Sequence, residues 1–342
     1  MKLIIQIPCF NEEAHLPVAI ADLPRTLPGV DAIEYLVIDD GSSDRTSEVA
    51  RLAGVHHVVR FAQNRGLAAG FMAGLDAALR LGADIVVNTD ADNQYCAEDI
   101  GRLIAPILVG KADMVVGDRQ TDQIAHFSPL KKMLQRWGSA VVRGASGTDV
   151  ADATSGFRAF NRACALRLFV HNRFSYTLET LIQSGRSGLS VVNVTVRTNP
   201  MSRPSRLAKS AFDYVRRNGT VIVRSFAMYR PLQTFAAASA VFLLLGAILI
   251  GRFFVLYLAH PAAGGHAQSL ILGVGSIILS FTAGMMAVLG DLLAANRRLN
   301  ESLLMRVRGI EVLLRSELGD GEDFSSKPDE RPVSLKASGD RS

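Results

Sequence analysis

Two uncharged segments in the second half of the chain constrain its fold more than any other feature. Residues 232–251 contain no charged side chain, and neither do residues 269–290. Each segment has about the 20 residues that a helix needs to cross the hydrocarbon core of a bilayer. The alternative is a pair of buried helices in a soluble core. Because both segments lie beyond the region that alternates strands and helices, we predict two membrane-spanning helices that form a hairpin.

The positions of the basic residues predict how this hairpin is oriented. Lys and Arg are concentrated in residues 203–230 and again in residues 297–308, whereas the linker at residues 259–268 contains neither. Short basic segments stay on the cytoplasmic side of a membrane. Residues 1–8 are too short for a signal peptide and have the composition of a strand. We therefore expect a multi-pass protein of the inner, cytoplasmic membrane, with its N-terminal domain and both termini in the cytoplasm.

Strand-type and helix-type segments alternate through the first 200 residues. Such alternation predicts an α/β domain with a mostly parallel sheet and helices on both faces. We assign residues 1–200 to this domain. Composition predicts the rest of the organisation: amphipathic interfacial helices at 201–230, two transmembrane helices within 231–292, a cytoplasmic amphipathic helix at 293–318 and a disordered tail at 319–342.

The apolar run at residues 85–89 is followed by two carboxylates, Asp90 and Asp92. In an open α/β sheet, ligands collect at the carboxyl ends of the strands, where this pair is predicted to lie. Two carboxylates in this place suit a hard divalent cation, which keeps some waters and takes further ligands from a substrate phosphate. The alternative is an ordinary solvated turn after a strand, because a D-x-D motif is short.

Polar residues follow the other apolar runs at the same expected edge. Asn11 and Glu12 follow the first run, and Asp40 follows the second, where it can accept a hydrogen bond from a base or a ribose. Asn64 and Gly66 lie in a turn before a helix, whose N-terminus favours phosphate. Each turn alone is more often structural, since acidic turns commonly cap helices. Their recurrence beside the D-x-D pair favours a ligand site.

Four sequence segments, in this order and at these intervals, resemble a known enzyme family. IPCFNEE, VIDDGSSDRT, NRGLAAG and NTDADNQ resemble the family 2 glycosyltransferases, which have the Rossmann-like GT-A fold. The later segments DATSGFRAF and SRPSRL, followed by a two-helix hairpin, are similar to those of the polyprenyl-phosphate glycosyltransferases. That group includes dolichol-phosphate mannose synthases and bacterial undecaprenyl-phosphate sugar transferases. The resemblance extends over roughly residues 1–315.

The resemblance implies a metal-dependent enzyme that transfers a sugar with inversion from a nucleotide diphosphate sugar, with uridine favoured, to undecaprenyl phosphate or a related polyprenyl phosphate. Transfer at the cytoplasmic face of the membrane would make a lipid-linked sugar donor for cell-envelope glycans. By this similarity Asp90 and Asp92 are the metal residues, and Asp92 is the better candidate for direct ligation of Mg²⁺ or Mn²⁺. The same similarity implies a nucleotide-sugar site lined by Pro8, Asn11, Glu12, Asp40, Asn64, Gly66 and Asp90.

Three residues farther along the chain are candidates for the reaction itself. The resemblance places Asp152 near the sugar and the acceptor, and the alternative is an N-cap of the following turn. Arg158 is a candidate phosphate contact or a structural partner of an acid. Glu179 lies in a helical pattern and is a weaker candidate, whose alternative role is to face a cationic side chain. We take Asp92, Asp152 and Arg158 as the predicted catalytic residues.

Arg203, Ser205 and Arg206 come just before the amphipathic segments, at the expected depth of the membrane surface. A lipid phosphate has to meet the catalytic domain there, and arginine can bind phosphate in a bidentate manner. We predict that this trio binds the acceptor phosphate. The alternative is that its arginines only attract anionic headgroups, which is worth about 1 kcal/mol each.

Two other functions are compatible with these residues. One is a membrane-anchored glycosyltransferase with a saccharide or protein acceptor, against which the arginine trio beside the membrane argues. The other is a non-catalytic membrane scaffold, against which the intact Asp90, Asp92 and Asp152 argue. The expected partners are a nucleotide sugar, polyprenyl phosphate and membrane lipids rather than nucleic acid. The C-terminal helix and the hairpin also favour a homo-oligomer.

Overall fold

The computed structural model describes residues 1–120, 142–144, 146–170, 176–199, 231–259 and 267–318. The strands are β1 (Lys2–Cys9), β2 (Ala32–Asp39), β3 (His57–Arg60), β4 (Ile85–Asn88), β5 (Met114–Asp118), β6 (Arg158–Asn161) and β7 (Val191–Thr195). The helices are α1 (Leu16–Ala21), α2 (Thr46–Leu52), α3 (Leu67–Arg80), α4 (Ile100–Leu108), α5 (Arg162–Arg167), α6 (Thr177–Arg186), α7 (Pro231–Ala259) and α8 (Ala267–Leu318), with a 3₁₀ turn at Ala97–Asp99. Within these residues, the seven strands form one mixed sheet in the order β3-β2-β1-β4-β6-β5-β7.

Four neighbouring strands, β3, β2, β1 and β4, run parallel, which confirms the mostly parallel sheet predicted from the alternation of strands and helices. β1 pairs with β2 on one side and with β4 on the other, so that Pro8 lies opposite Ile38 and Gln6 opposite Asn88. The three strands are rich in Ile, Val and Leu and are largely buried, as is typical of strands covered on both faces. Their carboxyl ends lie side by side at one edge, so the residues that follow them are brought together.

β6 runs antiparallel to both of its neighbours, and the sequence does not predict it. It lies between β4 and β5, where Arg158 is opposite both Asn88 and Val116. Its four residues are too few to show an alternating pattern, and its pairing partners are distant in sequence. β6 brings residues 152–157 to the same edge as the D-x-D pair.

Two hydrophobic layers hold the helices to the sheet. On one face α3, α5 and α6 cover the strands, and Phe71 stacks on Tyr176 with ring centroids 3.9 Å apart. On the other face α1 and α4 pack through residues such as Leu16 and Leu103. Burying a large apolar side chain stabilises a fold by about 1.5–3 kcal/mol. The two layers therefore keep the sheet, and the edge that it presents, in one arrangement.

α7 and α8 form the antiparallel hairpin that the sequence predicts, and both are long and apolar enough to cross a membrane. Small residues line the contact between them. Ser239 and Ser280 each donate a hydrogen bond of 2.8 Å to the other's backbone carbonyl, and Gly246 lies against Gly273. Small side chains let membrane helices approach closely. Large apolar side chains on the outer faces of both helices are exposed, as contact with lipid requires.

α8 is a continuous helix of 52 residues, with no break between the second candidate span and the predicted cytoplasmic helix. At 1.5 Å per residue it is about 78 Å long. Its C-terminal part packs on the α/β domain: Arg308 Nη1 donates to the Leu168 carbonyl at 2.9 Å, and Glu311 pairs with Arg80 at 3.0 Å. The α/β domain is therefore attached directly to the helix that contains the second candidate span.

Candidate active site

Asp90 and Asp92 follow β4 at the carboxyl edge of the sheet, where the sequence predicts them. The backbone N–H of Thr89 donates to the Gln6 carbonyl at 3.1 Å, so the pairing of β4 with β1 continues to the residue before Asp90. Asp92 Oδ1 accepts the backbone N–H of Gln94 at 3.1 Å, which closes the following turn. Both aspartates are partly buried. Two carboxylates therefore share a confined part of the edge.

The surroundings of Asp90 disfavour its negative charge. Burial and the neighbouring Asp92 carboxylate raise the pKa of Asp90 to about 7, while Arg119 and the Tyr95 hydroxyl oppose this increase. A divalent cation would relieve the repulsion between the carboxylates, and oxygen ligands suit Mg²⁺ and Mn²⁺. Within the described residues, no group of three or more His, Cys, Asp or Glu side chains is arranged to hold a metal. Magnesium sites commonly use one or two carboxylates with water and substrate phosphates, which fits this pair.

The predicted residues after β1 are tied to the loop after β2. Asn11 Oδ1 accepts the backbone N–H of Ser43 at 2.9 Å, and the Asn11 N–H donates to Ser42 Oγ at 2.9 Å. The φ angle of Asn11 is 55°, in the left-handed region that asparagine tolerates better than most residues. The buried Glu12 carboxylate lies 3.3 Å from His15 Nδ1. These contacts hold the polar turn after β1 in place.

Asp40 connects the end of β2 to the N-terminus of α3. Its two carboxylate oxygens accept the backbone N–H groups of Arg65 at 2.7 Å and of Gly66 at 2.9 Å. The sequence predicts a phosphate near Gly66, but in the structure Asp40 accepts these two N–H groups. A carboxylate at this place also compensates the partial positive charge of a helix N-terminus. Asp40 therefore lies at the predicted edge, and its hydrogen bonds stabilise the start of α3.

Arg119 is a residue of this edge that the sequence motifs do not indicate. It follows β5, and its guanidinium donates to Asp152 through Nε at 2.6 Å and Nη2 at 3.1 Å. Nη2 also donates to Thr154 Oγ1 at 2.9 Å. The signal that points to Arg119 is its position directly after an apolar strand, as Asp40 and Asp90 directly follow apolar runs.

The ion pair with Arg119 keeps Asp152 charged. Burial alone would raise the pKa of this carboxyl, but the Arg119 guanidinium and Thr154 hold it below its ordinary value. Only 4% of the Asp152 side chain is exposed, so the carboxylate depends on these partners. Removing one partner of a buried ion pair typically costs about 3–5 kcal/mol. Asp152 is therefore a fixed negative charge and a poor proton acceptor.

The segment after this ion pair reaches Asp90 at Gly156. A β-carbon at position 156 would lie 3.2 Å from both carboxylate oxygens of Asp90, so a larger residue would press on that carboxylate. The Gly156 N–H donates to the Tyr95 hydroxyl at 3.0 Å. The D-x-D pair and the buried ion pair are thereby gathered at one edge of the sheet.

Arg158 lies beneath this edge and is fully buried. Its guanidinium donates to the carbonyls of Ser155 at 2.8 Å, Ala153 at 2.9 Å and Thr177 at 2.7 Å, and to Thr180 Oγ1 at 2.7 Å. These contacts favour the structural alternative over a phosphate contact, although the partners are carbonyls and a hydroxyl rather than an acid. In place of the predicted catalytic role, we assign Arg158 to the support of the loop that contains the buried aspartate.

A buried polar network supports the edge from below. Asn88, the last residue of β4, accepts a hydrogen bond from Gln6 Nε2 at 2.8 Å. It donates to the Gly156 carbonyl at 2.9 Å and to the Tyr176 hydroxyl at 2.8 Å. Polar networks whose members are hydrogen-bonded rigidify a core and specify one arrangement. Asn88 belongs to the NTDADNQ segment, but its role depends on partners from three other parts of the chain.

Three further predicted residues lie in the described part of the chain. Pro8 is partly buried near the end of β1, and Asn64 is exposed on the loop before α3. Glu179, in the first turn of α6, lies 3.8 Å from Arg297 of α8, which is a cationic partner of the kind that its alternative role requires. The predicted acceptor residues Arg203, Ser205 and Arg206 lie outside the described residues.

The sequence is similar to that of known glycosyltransferases. The profile of Glycosyl transferase family 2 matches residues 4–169. The chain is 28% identical over 206 residues to the undecaprenyl-phosphate mannosyltransferase of Micrococcus luteus, and the match covers 57% of this chain and 83% of that protein. It is 26% identical over 206 residues to the polyprenol monophosphomannose synthase of Mycolicibacterium smegmatis, with coverage of 57% and 76%.

A solved structure shares the fold. The crystal structure of glucosyl-3-phosphoglycerate synthase from Mycobacterium tuberculosis in complex with phosphoglyceric acid matches with a TM-score of 0.52 and 22% sequence identity. The match covers 66% of this chain and 79% of that one. At this identity the likeness concerns the fold alone. Together with the mixed sheet and its flanking helices, it confirms the predicted GT-A-like fold.

Proposed function

Because residues 4–169 match the profile of Glycosyl transferase family 2, we propose that the chain transfers a sugar from a nucleotide diphosphate sugar to a polyprenyl phosphate at the membrane surface. The observation that supports this most is the edge where Asp90 and Asp92 lie beside the Arg119–Asp152 ion pair. This edge belongs to a domain that packs on its own candidate membrane helix. Relatives named for sugar transfer to polyprenyl phosphates support the acceptor class.

Asp92 and Asp90 are the residues that would hold Mg²⁺ or Mn²⁺. Bound there, the cation would neutralise the nucleoside diphosphate as it leaves the sugar. The chain itself keeps the two carboxylates in place: the Gln94 N–H orients Asp92, and Asp90 lies against Gly156. Glucosyl-3-phosphoglycerate synthase, whose fold is similar, was crystallised with Mn²⁺ and UDP. We propose a UDP-linked sugar as the donor for this chain as well.

Asp152 serves in this proposal as a fixed charge near the sugar. The acceptor phosphate is already anionic, so no strong base is needed to remove a proton before it attacks. Burial opposes the ionised form of Asp152, but Arg119 lowers its pKa enough to keep the carboxylate charged. A carboxylate stabilises the positive charge that develops on a sugar ring during transfer. Attack by the acceptor from the side opposite the diphosphate inverts the anomeric carbon.

The acceptor approaches the edge from the membrane in this proposal. The basic segment that contains Arg203, Ser205 and Arg206 lies in sequence between Asn199, which contacts the loop after Asp92, and α7. We propose that the trio binds the phosphate of undecaprenyl phosphate or a related lipid. The basic residues on both sides of the hairpin would keep the α/β domain and both termini in the cytoplasm. The product would be a lipid-linked sugar for cell-envelope glycans.

Transfer in nanodiscs tests this proposal. Wild-type protein with radiolabelled UDP- and GDP-sugars, Mn²⁺ and undecaprenyl phosphate should produce a labelled lipid. EDTA should stop the reaction, and Mg²⁺ or Mn²⁺ should restore it. Label found only on a saccharide or protein acceptor would support the rival transferase. Neither transfer nor donor hydrolysis, with all donors tested, would support the scaffold.

The acceptor site is tested with Arg203→Ala and Arg206→Ala in nanodiscs without anionic lipid. Losing a charge-assisted phosphate contact costs about 1.5–3 kcal/mol, so the apparent KM for the lipid should rise roughly ten- to a hundred-fold. The KM for the nucleotide sugar should change much less. Arg252→Ala is the matched control, because Arg252 is exposed towards the other end of α7. Wild-type KM values in both variants would show that these arginines only attract headgroups.

We also propose that copies of the chain associate through α8 beyond the membrane span. One side of this part of the helix, here called the α8 stripe, presents exposed and mostly apolar residues: Leu292, Asn296, Leu299, Leu303, Val307, Ile310 and Leu314. Leu292, Leu303 and Leu314 are 11 positions apart, and an 11-residue repeat keeps one side of a helix aligned over several turns. Arg308 and Glu311, which contact the α/β domain, lie off this stripe.

A second copy of the chain is the partner that fits the α8 stripe. Two copies in one membrane hold their α8 helices parallel and at the same depth in the membrane, so the same residue of each copy faces its counterpart. Asn296 would then pair with its own counterpart, as asparagines do in the seams of parallel helices. In a Cys96→Ser background, mild oxidation should cross-link Leu303→Cys faster than Ser302→Cys, whose side chain is exposed beside the stripe. Equal rates would contradict this contact.

A further inference from the structure

A short segment after β7 pairs with the loop that follows the D-x-D residues. Residues 197–199 lie antiparallel to residues 94–96, with a backbone hydrogen bond at each end. At one of these ends, the Asn199 N–H donates to the Gln94 carbonyl at 2.9 Å. The position of the loop therefore depends on a segment that lies outside every motif of the sequence.

The Asn199 side chain adds a second contact to the same loop. Its Nδ2 amide group donates to the Asn93 carbonyl at 3.0 Å and to the Tyr95 carbonyl at 3.4 Å. Gln94 lies between these two residues, and its N–H donates to Asp92 Oδ1 at 3.1 Å. One amide group thus fixes the backbone on both sides of the residue that orients Asp92.

The same loop also reaches the segment beside Asp90. The Tyr95 hydroxyl accepts the Gly156 N–H at 3.0 Å, and a β-carbon at position 156 would lie 3.2 Å from both carboxylate oxygens of Asp90. The Tyr95 ring stacks on Phe157 with centroids 4.9 Å apart. Because Asn199 holds the Tyr95 backbone, it also sets the point from which this side chain reaches Gly156, the residue that lies against Asp90. Both carboxylates of the D-x-D pair therefore depend on the Asn199 amide.

Arg197 anchors the segment that contains Asn199. The fully buried Asp99 carboxylate accepts the Arg197 backbone N–H at 2.6 Å and its Nη2 at 2.9 Å. Arg197 also pairs with Glu98 at 3.0 Å. Charge-assisted hydrogen bonds of this kind are roughly twice as strong as neutral ones. Asn199 therefore acts on the loop from a firmly held position.

We propose that Asn199 is a positioning residue for the D-x-D pair. Its amide holds the loop after Asp92 so that both carboxylates keep the arrangement that a divalent cation and a nucleoside diphosphate need. The segment that contains Asn199 leads in sequence into the basic residues 201–230, so the same contact joins the donor side of the edge to the segment that we propose binds the acceptor. This inference rests on the proposed function and adds to it a residue that acts through two backbone carbonyls.

Asn199→Asp tests the proposal with a side chain of the same shape. The substitution removes both amide donors and places a carboxylate oxygen against the carbonyls of Asn93 and Tyr95, while the backbone bond to Gln94 remains. Groups that support the ligands of a metal typically change its affinity by about 10–100-fold. Titration calorimetry of the full chain in detergent, with UDP and GDP as probes, should show the half-saturating Mn²⁺ concentration raised roughly ten-fold or more.

Thr198→Ala is the matched control, because Thr198 is exposed and pairs through its backbone. It should keep the wild-type Mn²⁺ dependence. Asn199→Ala removes the same two bonds without adding a charge and should raise the half-saturating concentration by a smaller factor, so the test does not depend on the folding of Asn199→Asp.

The outcomes separate this inference from the proposed function. If the wild type binds a nucleotide with Mn²⁺ and both Asn199 variants keep its Mn²⁺ dependence, the inference is wrong even if their melting temperatures fall. An equal change in Thr198→Ala would also overturn it. If the wild type binds neither UDP nor GDP at any Mn²⁺ concentration, both the proposed function and this inference are wrong.

Discussion

The carboxylates at the end of β2 and those after β4 come from the same sequence pattern but have different surroundings. At the end of β2, Asp39 accepts the Ser42 N–H at 2.8 Å and the Ser47 hydroxyl, and Asp40 accepts two N–H groups at the start of α3. The chain itself therefore supplies donors to both acids. These acids join β2 to the elements that follow it.

After β4 the two acids are crowded together instead. Burial and the Asp92 carboxylate raise the pKa of Asp90 to about 7, against the opposing effects of Arg119 and Tyr95. A bound cation would stabilise two such carboxylates more than further hydrogen-bond donors from the chain would. An apolar run that ends in acids therefore predicts where the acids lie, and the donors around them decide whether they serve the fold or a ligand.

Asp92→Asn should give the largest effect. Removing one negative charge from the pair weakens the hold on the cation, and the rate of transfer should fall at least roughly a hundred-fold, which corresponds to about 3 kcal/mol. Asp90→Asn should be impaired less if that residue holds the cation through water. Initial rates measured over a series of Mn²⁺ concentrations, with circular dichroism to monitor folding, check both variants. A near wild-type rate in Asp92→Asn would refute its assignment as a ligand.

Asp40→Asn should act mainly on stability, in contrast to Asp92→Asn. The amide nitrogen that replaces one oxygen faces the N–H of Arg65 or Gly66, so one backbone donor loses its acceptor at a cost of about 1–3 kcal/mol. The thermal midpoint should fall, while Mn²⁺ dependence below the transition stays close to that of the wild type. A wild-type thermal midpoint combined with lost nucleotide binding would contradict this contrast between Asp40 and Asp92, because Asp40 would then belong to the ligand site.

The parallel strands of the sheet and the helical hairpin were open to prediction from sequence because both depend on local patterns. Runs of Ile, Val and Leu mark β1, β2 and β4, and the acids after them mark the sheet edge. Long uncharged segments mark α7 and the first part of α8. Composition divides α8 at residue 292, but the helix continues because a change from apolar to amphipathic residues does not interrupt its hydrogen bonds.

The features that the sequence does not predict depend on partners that are distant along the chain. Arg119 and Asp152 are 33 positions apart, and Asn199 is 106 positions from Asn93. Arg158 has the sequence context of a site residue, and only its buried carbonyl partners reveal a supporting role. The position of such a residue becomes informative only when the order of the strands is known.

Asn64→Ala should give the smallest effect. It tests whether a residue near the end of β2 binds the ligand without also serving the fold. Asn64 is exposed, and Asp40 accepts the N–H groups of the two residues that follow it, Arg65 and Gly66. A hydrogen bond from the Asn64 side chain to the nucleotide sugar would therefore contribute to binding and not to the stability of the fold. Losing one neutral hydrogen bond should weaken nucleotide binding by about 0.5–1.5 kcal/mol, or roughly two- to ten-fold, at an unchanged melting temperature. Gln63→Ala, at the exposed neighbouring position, should change neither quantity. Unchanged affinity in Asn64→Ala would remove this residue from the predicted nucleotide-sugar site, and a lower melting temperature would place it with Asp40 among the residues that serve the fold.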